Sequence, residues 1–166
     1  MIHSLTMATP DGPFTIIGTR DHVLASGWTT ETRELLALIH PELRPSQAPD
    51  DQHVLADARA AVEAYYAGDP GAPSRIPVHQ RSTAGREHAW EVLRAVAPGS
   101  PLTYAQYADH CGTPTAVRAA AGACARNATA LFVPCHRIIR SDGTLGGFRY
   151  GLEIKRSLLE REAVAS

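Results

Sequence analysis

The stretch Val133-Pro134-Cys135-His136-Arg137-Ile138-Ile139 constrains this chain more than any other. A thiol is followed at once by an imidazole and a guanidinium, between two β-branched apolar segments. Successive residues of a regular strand point to opposite faces. Cys135 and His136 can therefore serve one site only if the backbone bends there. Pro134 suits a bend, because it has no N–H for a ladder and its fixed φ favours a strand end or turn. The segment reads as a short buried strand over Leu131 to Val133, a tight break at Pro134-Cys135, and renewed extended chain at Ile138-Ile139. A free thiol is only about a few per cent thiolate near neutral pH, and a neighbouring base or positive field raises that fraction. Both are at hand within two residues. The same residue types also describe an inert buried cysteine beside a satisfied histidine. The residue types by themselves leave both readings open.

At 166 residues, 44% of them hydrophobic, the chain can build one domain, or two small ones sharing an interface. No apolar run approaches the roughly 18 residues of a membrane span. Met1-Ile2-His3-Ser4 has no basic-then-apolar leader pattern, so a cytoplasmic location is expected. Cys111, Cys124 and Cys135 are odd in number and form no C-x-x-C pair. That suits a reducing compartment and argues against a disulfide framework or a thiolate zinc site. Net charge is −1 but uneven: residues 1–110 carry 8 Arg against 13 Asp/Glu, and residues 111–166 carry 7 Arg and 1 Lys against 4. The basic third holds Cys135. Such asymmetry hints at a polyanionic partner, although charge by itself is read more simply as a solvated face.

Three strands are expected at His3 to Met7, Phe14 to Ile17 and Val23 to Trp28, with turns at Pro10-Asp11-Gly12-Pro13 and Arg20-Asp21. A proline-containing connection over 29–52 leads past a short helix at Glu31 to Ile39. An amphipathic helix over 53–67 is closed by Gly68. Asp69 to Pro77 reads as an edge strand or a linker. A further helix, Glu87 to Val96, turns Ala89, Trp90, Leu93 and Val96 to one side. Thr103 and Gln106 match a capping box and start a helix ending near Cys111. Thr113-Pro114 begins the next helix, with Pro at its first position. The pair reads as a helix-turn-helix.

From Pro114 to Arg126 six residues are Ala and one is Gly. Val117, Ala120 and Cys124 are expected to face the core. Arg118, Ala121, Gly122 and Ala125 leave a smooth face with one long cation, able to lie close against a partner. Alanine is also simply a good helix former. Asn127 is expected at a left-handed position past the helix end. Ser141-Asp142-Gly143 forms a turn, 146–151 a glycine-aromatic-arginine loop. The last helix, Leu152 to Ala163, directs Ile154, Leu158 and Leu159 inward and carries Glu162.

Together, Pro134-Cys135-His136-Arg137, the Ala-rich helix with Arg118, Asn127, Tyr104, the Gly-Gly-aromatic-Arg loop and Glu162 resemble the O6-alkylguanine-DNA alkyltransferases (methylated-DNA–protein-cysteine methyltransferases). The resemblance spans roughly residues 98–163. It implies an α+β protein: a small antiparallel sheet with a helix over 1–80, ribonuclease-H-like, then a helical, winged-helix-like DNA-binding and active-site domain over 81–166. It implies a suicide enzyme that flips O6-alkylguanine from duplex DNA and moves the alkyl group to Cys135. O4-alkylthymine is a further candidate lesion. The expected protein is monomeric, independent of membranes, and without cofactor or metal. By the same resemblance, His136 is a general base acting through water, Glu162 orients it, Asn127 holds the active-site turn, and Tyr104 assists nucleotide rotation and the departing oxygen. Arg118 is the finger that fills the vacated stack. Thr103, Ala119, Gly122 and Arg126 contact DNA, and Val133, Ser141, Phe148 and Arg149 line the base pocket.

Several positions depart from the family pattern. Gly85-Arg86 replaces Phe-Gln ahead of Trp90, the segment after Asn127 lacks prolines, and Phe148 replaces tyrosine. Family zinc sites use an N-terminal cysteine that this chain lacks, so His3, His22 and His53 are expected at the surface. Competing readings are a non-catalytic, lesion-binding alkyltransferase-like protein and a thiol hydrolase or redox enzyme. The first class typically lacks the acceptor cysteine, and the second leaves the Ala-rich helix without a purpose.

Overall fold

The computed structural model describes residues 2–44 and 55–165 and divides into two compact units. The first comprises residues 1–81 with Ala128–Phe132, the second Ser82–Asn127 with Val133–Ser166. The expected location of His53 and the start of the 53–67 helix lie outside the described residues.

The first unit is built on a three-stranded antiparallel sheet in the order β1-β2-β3, His3–Met7, Phe14–Gly18 and Val23–Gly27. In β1, His3, Leu5 and Met7 alternate inward, while β2 and β3 are buried along their whole length. That alternation places His3 inside, at 4% exposure, and corrects the expectation of a surface histidine; His22 is exposed as expected. A short helix α1 spans Thr32–Leu36. Helix α2, Ala56–Tyr66, turns Ala58, Ala61, Val62 and Tyr65 inward. Tyr66 ties α2 to the sheet: its hydroxyl accepts from Trp28 Nε1 (3.1 Å) and donates to Asp11 Oδ2 (2.7 Å). Between Asp69 and Pro77 lies a 3-10 turn at Pro73–Arg75, followed by a single bridge from Val78 to Val23.

The strand expected over Leu131 to Val133 is absent: Leu131 and Phe132 lie in a turn that follows an isolated bridge from Thr129 to Ser26. Ser26 N–H donates to Ala128 O (2.8 Å), its hydroxyl donates to Ala130 O (2.8 Å), and Gln80 brackets Ala128 and Thr129. Leu131 then takes φ 75. A left-handed leucine costs roughly 1–2 kcal/mol. Burying its side chain, which is 1% exposed, returns about 1.5–3 kcal/mol, so the turn is sustainable. Three apolar residues in a row imitate a buried strand, and a non-glycine positive φ leaves no mark in sequence.

The second unit packs α3, α4, α5 and α6 (Ala84–Arg94, Tyr104–His110, Val117–Ala125, Leu152–Ala165) with a two-residue parallel pair. In that pair, β4 (Leu102–Thr103) lies against β5 (Ile138–Ile139). Helix α3 starts at Ala84, earlier than expected, because Thr83 Oγ1 accepts from Arg86 N–H and caps it. Trp90 Nε1 donates to Ala123 O (2.9 Å) and Tyr107 hydroxyl to Ala89 O (2.5 Å), locking α3 to both α5 and α4. The substituted Gly85-Arg86 therefore does not prevent α3 from packing. The capping box at Thr103 and Gln106 is present in full. Gly112, at φ +82, turns the chain out of α4.

Helix α5 begins at Val117 rather than Pro114. Ala116 N–H closes a turn onto Thr113 O (2.9 Å), and that turn uses the same proline φ a helix start would use. The shift changes the face: Ala120 and Ala123 are buried, Val117 is exposed and Cys124 half-buried. In α6 the buried residues are Lys155, Leu158 and Glu162, with Ile154 and Leu159 half-buried.

Candidate active site

Cys135 is presented by a bend of one residue. Pro134, at φ −83 and ψ 66, occupies the inverse γ-turn region, and Cys135 N–H donates to Val133 O across it (2.9 Å). A single 3-10 turn, Cys135–Arg137, follows, closed by Arg137 N–H on Pro134 O (3.0 Å). The Val133 carbonyl accepts a second bond, from Asn127 Nδ2 (2.8 Å). Asn127 does not take the left-handed conformation expected of it; Leu131 is the non-glycine residue that does. Its work is done by the side-chain amide. From Asn127 to Ile138 every residue is buried except Cys135, which is half-buried. The chain is closed around this sulfur and open at it.

Behind Cys135 lies a buried charged cluster. Glu162 accepts from His136 Nε2 (2.5 Å) through Oε2 and from Arg137 Nε (2.7 Å) through Oε1, and Arg137 Nη1 donates to Val96 O (2.9 Å). All three side chains are at most 2% exposed. Burial would raise the Glu162 carboxyl, but His136 and Arg137 overcome it and hold the pKa at about 2. Burial, with the nearby cations Arg137 and Lys155 adding to it, keeps His136 below its ordinary value despite Glu162. At neutral pH the cluster is carboxylate, guanidinium and neutral imidazole. The contact to Glu162 assigns the imidazole proton to Nε2, leaving Nδ1 as an acceptor. Nδ1 is buried and has no hydrogen-bond partner among the described residues. A basic nitrogen thus sits one residue from the thiol, its orientation fixed by an acid.

Burial pushes the Cys135 thiol up from its ordinary value. Three side chains oppose it, a hydrogen bond from Asn127 and the positive charges of Lys155 and Arg149, and so does the Cys135 backbone N–H. Lys155 Nζ is buried and donates to Ile138 O (2.7 Å) and Gly147 O (3.3 Å). Burial lowers its own pKa. Tyr104, the first residue of α4, is raised to about 12, chiefly by burial and then by Cys124 and Cys135. It is a protonated hydroxyl at neutral pH. Gly146, at φ +75, approaches it so closely that a Cβ there would lie 3.2 Å from Tyr104 Cε2.

The remaining candidates fall into two groups. On α5, Arg118, Ala119 and Arg126 are exposed and Gly122 half-buried. Arg118 has no hydrogen-bond or ion-pair partner among the described residues. Thr103 uses its hydroxyl in the cap of α4. In the loop, Ser141 is exposed and Phe148 half-buried, its ring edge-on to Tyr150 at 5.7 Å. Arg149 donates to Ala125 O and to Asn127 O (3.1 Å), fastening the loop to the C-terminal end of α5. Sequence reasoning missed Lys155 and the buried pairing of Arg137. Lys155 falls at i+3 before Leu158 and i+7 before Glu162, so the inward stripe of α6 contained the signal.

The family model for the 6-O-methylguanine DNA methyltransferase, DNA binding domain, matches residues 84–164. The bifunctional transcriptional activator/DNA repair enzyme Ada of Escherichia coli is 46% identical over 91 residues, 55% of this chain. The chain spans only 26% of that relative's length. The methylated-DNA–protein-cysteine methyltransferase of Mycobacterium tuberculosis is 32% identical over 162 residues, covering 98% of this chain and 93% of the relative. A crystal structure of Mycobacterium tuberculosis OGT in complex with DNA superposes with a TM-score of 0.81 at 26% identity, covering 99% of this chain and 94% of that one.

Proposed function

The chain belongs to the methylated-DNA–protein-cysteine methyltransferase family, and from that premise we propose that it repairs O6-alkylguanine in duplex DNA by moving the alkyl group onto its own Cys135. The observation that carries this reading is the half-buried sulfur backed by an oriented imidazole acceptor.

The target carbon is out of reach inside a stacked duplex, so the nucleotide must be extruded, at a cost of a few kcal/mol. A side chain that fills the vacancy offsets part of that cost. Arg118 is long and has no partner among the described residues, on a helix whose other exposed residues are mostly small. Small residues also let α5 enter a minor groove only about 6 Å wide. The basic C-terminal third supplies attraction to phosphates.

With the base seated, the thiol proton passes through a water to His136 Nδ1, and Glu162 stabilises the imidazolium as an acid does in a triad. The sulfur attacks the alkyl carbon, an S–C bond forms and the C–O6 bond breaks. The departing oxygen is stabilised by the Tyr104 hydroxyl, and the proton taken up by His136 is passed through water to the departing guanine, so thiol and O6-alkylguanine become thioether and guanine and the imidazole returns to neutral. Asn127, Lys155 and Arg149 favour the thiolate. The thioether has no route back, so each chain reacts once, and the displacement requires no cofactor. O4-alkylthymine is a second candidate substrate. A purely lesion-binding role has no use for Cys135.

The test is Cys135→Ala with duplex DNA containing O6-methylguanine. Retained duplex affinity with complete loss of methyl transfer is expected. Transfer that persists in the variant would remove Cys135 as the acceptor.

A further inference from the structure

At i, i+4, i+8 spacing along one face of α5 lie exposed Arg118, half-buried Gly122 and, one residue past the helix end, exposed Arg126. The middle member of this row has no side chain. Arg86 reaches that gap from α3: a Cβ built on Gly122 would lie 3.5 Å from Arg86 Nη2. Its other terminal nitrogen, Nη1, contacts Ser82 Oγ at 3.4 Å. No carboxylate pairs with Arg86 among the described residues. Arg86 also shares a wall of an open cavity of about 290 Å³ with Gly85, Thr113, Ala116 and Ala119, and no acidic residue lines it.

Two local choices here run against helix stability. Arg86 stands in the first turn of α3, where the helix field disfavours a cation. Gly122 interrupts an alanine-rich helix, although a methyl at 3.5 Å is ordinary contact and alanine would fit. Local rules broken without packing necessity point to function.

We propose that Arg86, reaching over Gly122 between Arg118 and Arg126, contacts the phosphodiester backbone of nucleic acid together with Arg126, beside the Arg118 side chain that enters the base stack. Each step of the row spans about 6 Å of helix. Gly122 places no side chain of α5 over the half-buried Arg86. The site takes phosphate without reading base identity, so its contribution is uniform across sequences and sensitive to salt. This assignment rests on the proposed action on duplex DNA.

The experiment measures duplex affinity across a salt series, for wild type and for Arg86→Gln and Arg86→Lys, with one methylated duplex and one unmodified. Loss of one phosphate contact flattens the slope of log K against log salt by about 0.9. Arg86→Gln is expected to show that loss on both duplexes, and Arg86→Lys to restore the slope. A packing role would alter thermal stability and leave the slope in place. An unchanged slope in Arg86→Gln overturns the assignment. A wild type whose affinity ignores salt overturns the duplex reading as well. Phenylglyoxal modification of wild type needs no variant: the duplex is expected to protect Arg86, and equal modification with and without it overturns the proposal.

Discussion

Glu162 is the residue on which the rest of the site turns. Its carboxyl is held at about 2 against an ordinary 4.5, so the unfolded chain binds the proton more readily. The stabilisation is fully present above pH 4.5 and drains away as pH falls toward 2, amounting to about 3 kcal/mol by the linkage relation. Glu162→Gln should lose stability of that order at neutral pH and should flatten the acid limb of the unfolding curve between those values. Urea unfolding at several pH values measures both. An acid limb identical to wild type would mean the pair with His136 and Arg137 is not the source. Lys155 sets a second test. Its charge opposes the burial that raises the Cys135 thiol. Lys155→Met should slow transfer at neutral pH and displace the rate–pH curve to higher pH. Slowing with no displacement would assign Lys155 to holding the Ile138 and Gly147 carbonyls instead.

At the scale of elements, the proposed recognition of DNA rests on α5 and the 146–151 loop. Arg118→Ala should slow transfer from methylated duplex more than transfer from free O6-benzylguanine, because only the duplex requires extrusion. Equal slowing on both would count against a wedge. Gly146→Ala should destabilise by about 1–2 kcal/mol through its left-handed backbone. The added methyl also presses on the Tyr104 ring, so transfer should fall beyond what stability explains. A rate unaffected by the substitution would detach Tyr104 from the chemistry. Sequence made the sheet strands, the Thr103 capping box and α6 legible, since each rests on local pattern. It misplaced the start of α5, because proline φ serves a turn and a helix equally. The Leu131 conformation was invisible because a positive φ at leucine has no local signal, and its neighbours Ala128 and Ala130 are held by Ser26, distant in the chain. Buried Lys155 and Arg137 were missed because a charge inside is decided by partners, and those partners are carbonyls and a carboxylate far along the chain.

For the whole molecule, a net charge of −1 conceals a basic C-terminal third, so affinity for duplex should decline steeply with salt although the protein as a whole is nearly neutral. The chain spans a quarter of one relative and nearly all of another, and Cys135 and the buried charged cluster lie within the region matched by the family model. That region holds the half-buried Cys135 sulfur beside a buried His136 whose Nε2 is held by Glu162. Intact-protein and peptide mass measurement during titration with O6-methylguanine duplex tests the proposed transfer to Cys135 most directly. The account predicts a gain of one methyl group per chain, on the peptide containing Cys135, with transfer ending when DNA and protein are equimolar. A chain that restores many lesions each, or that binds the duplex and never gains mass, would contradict it.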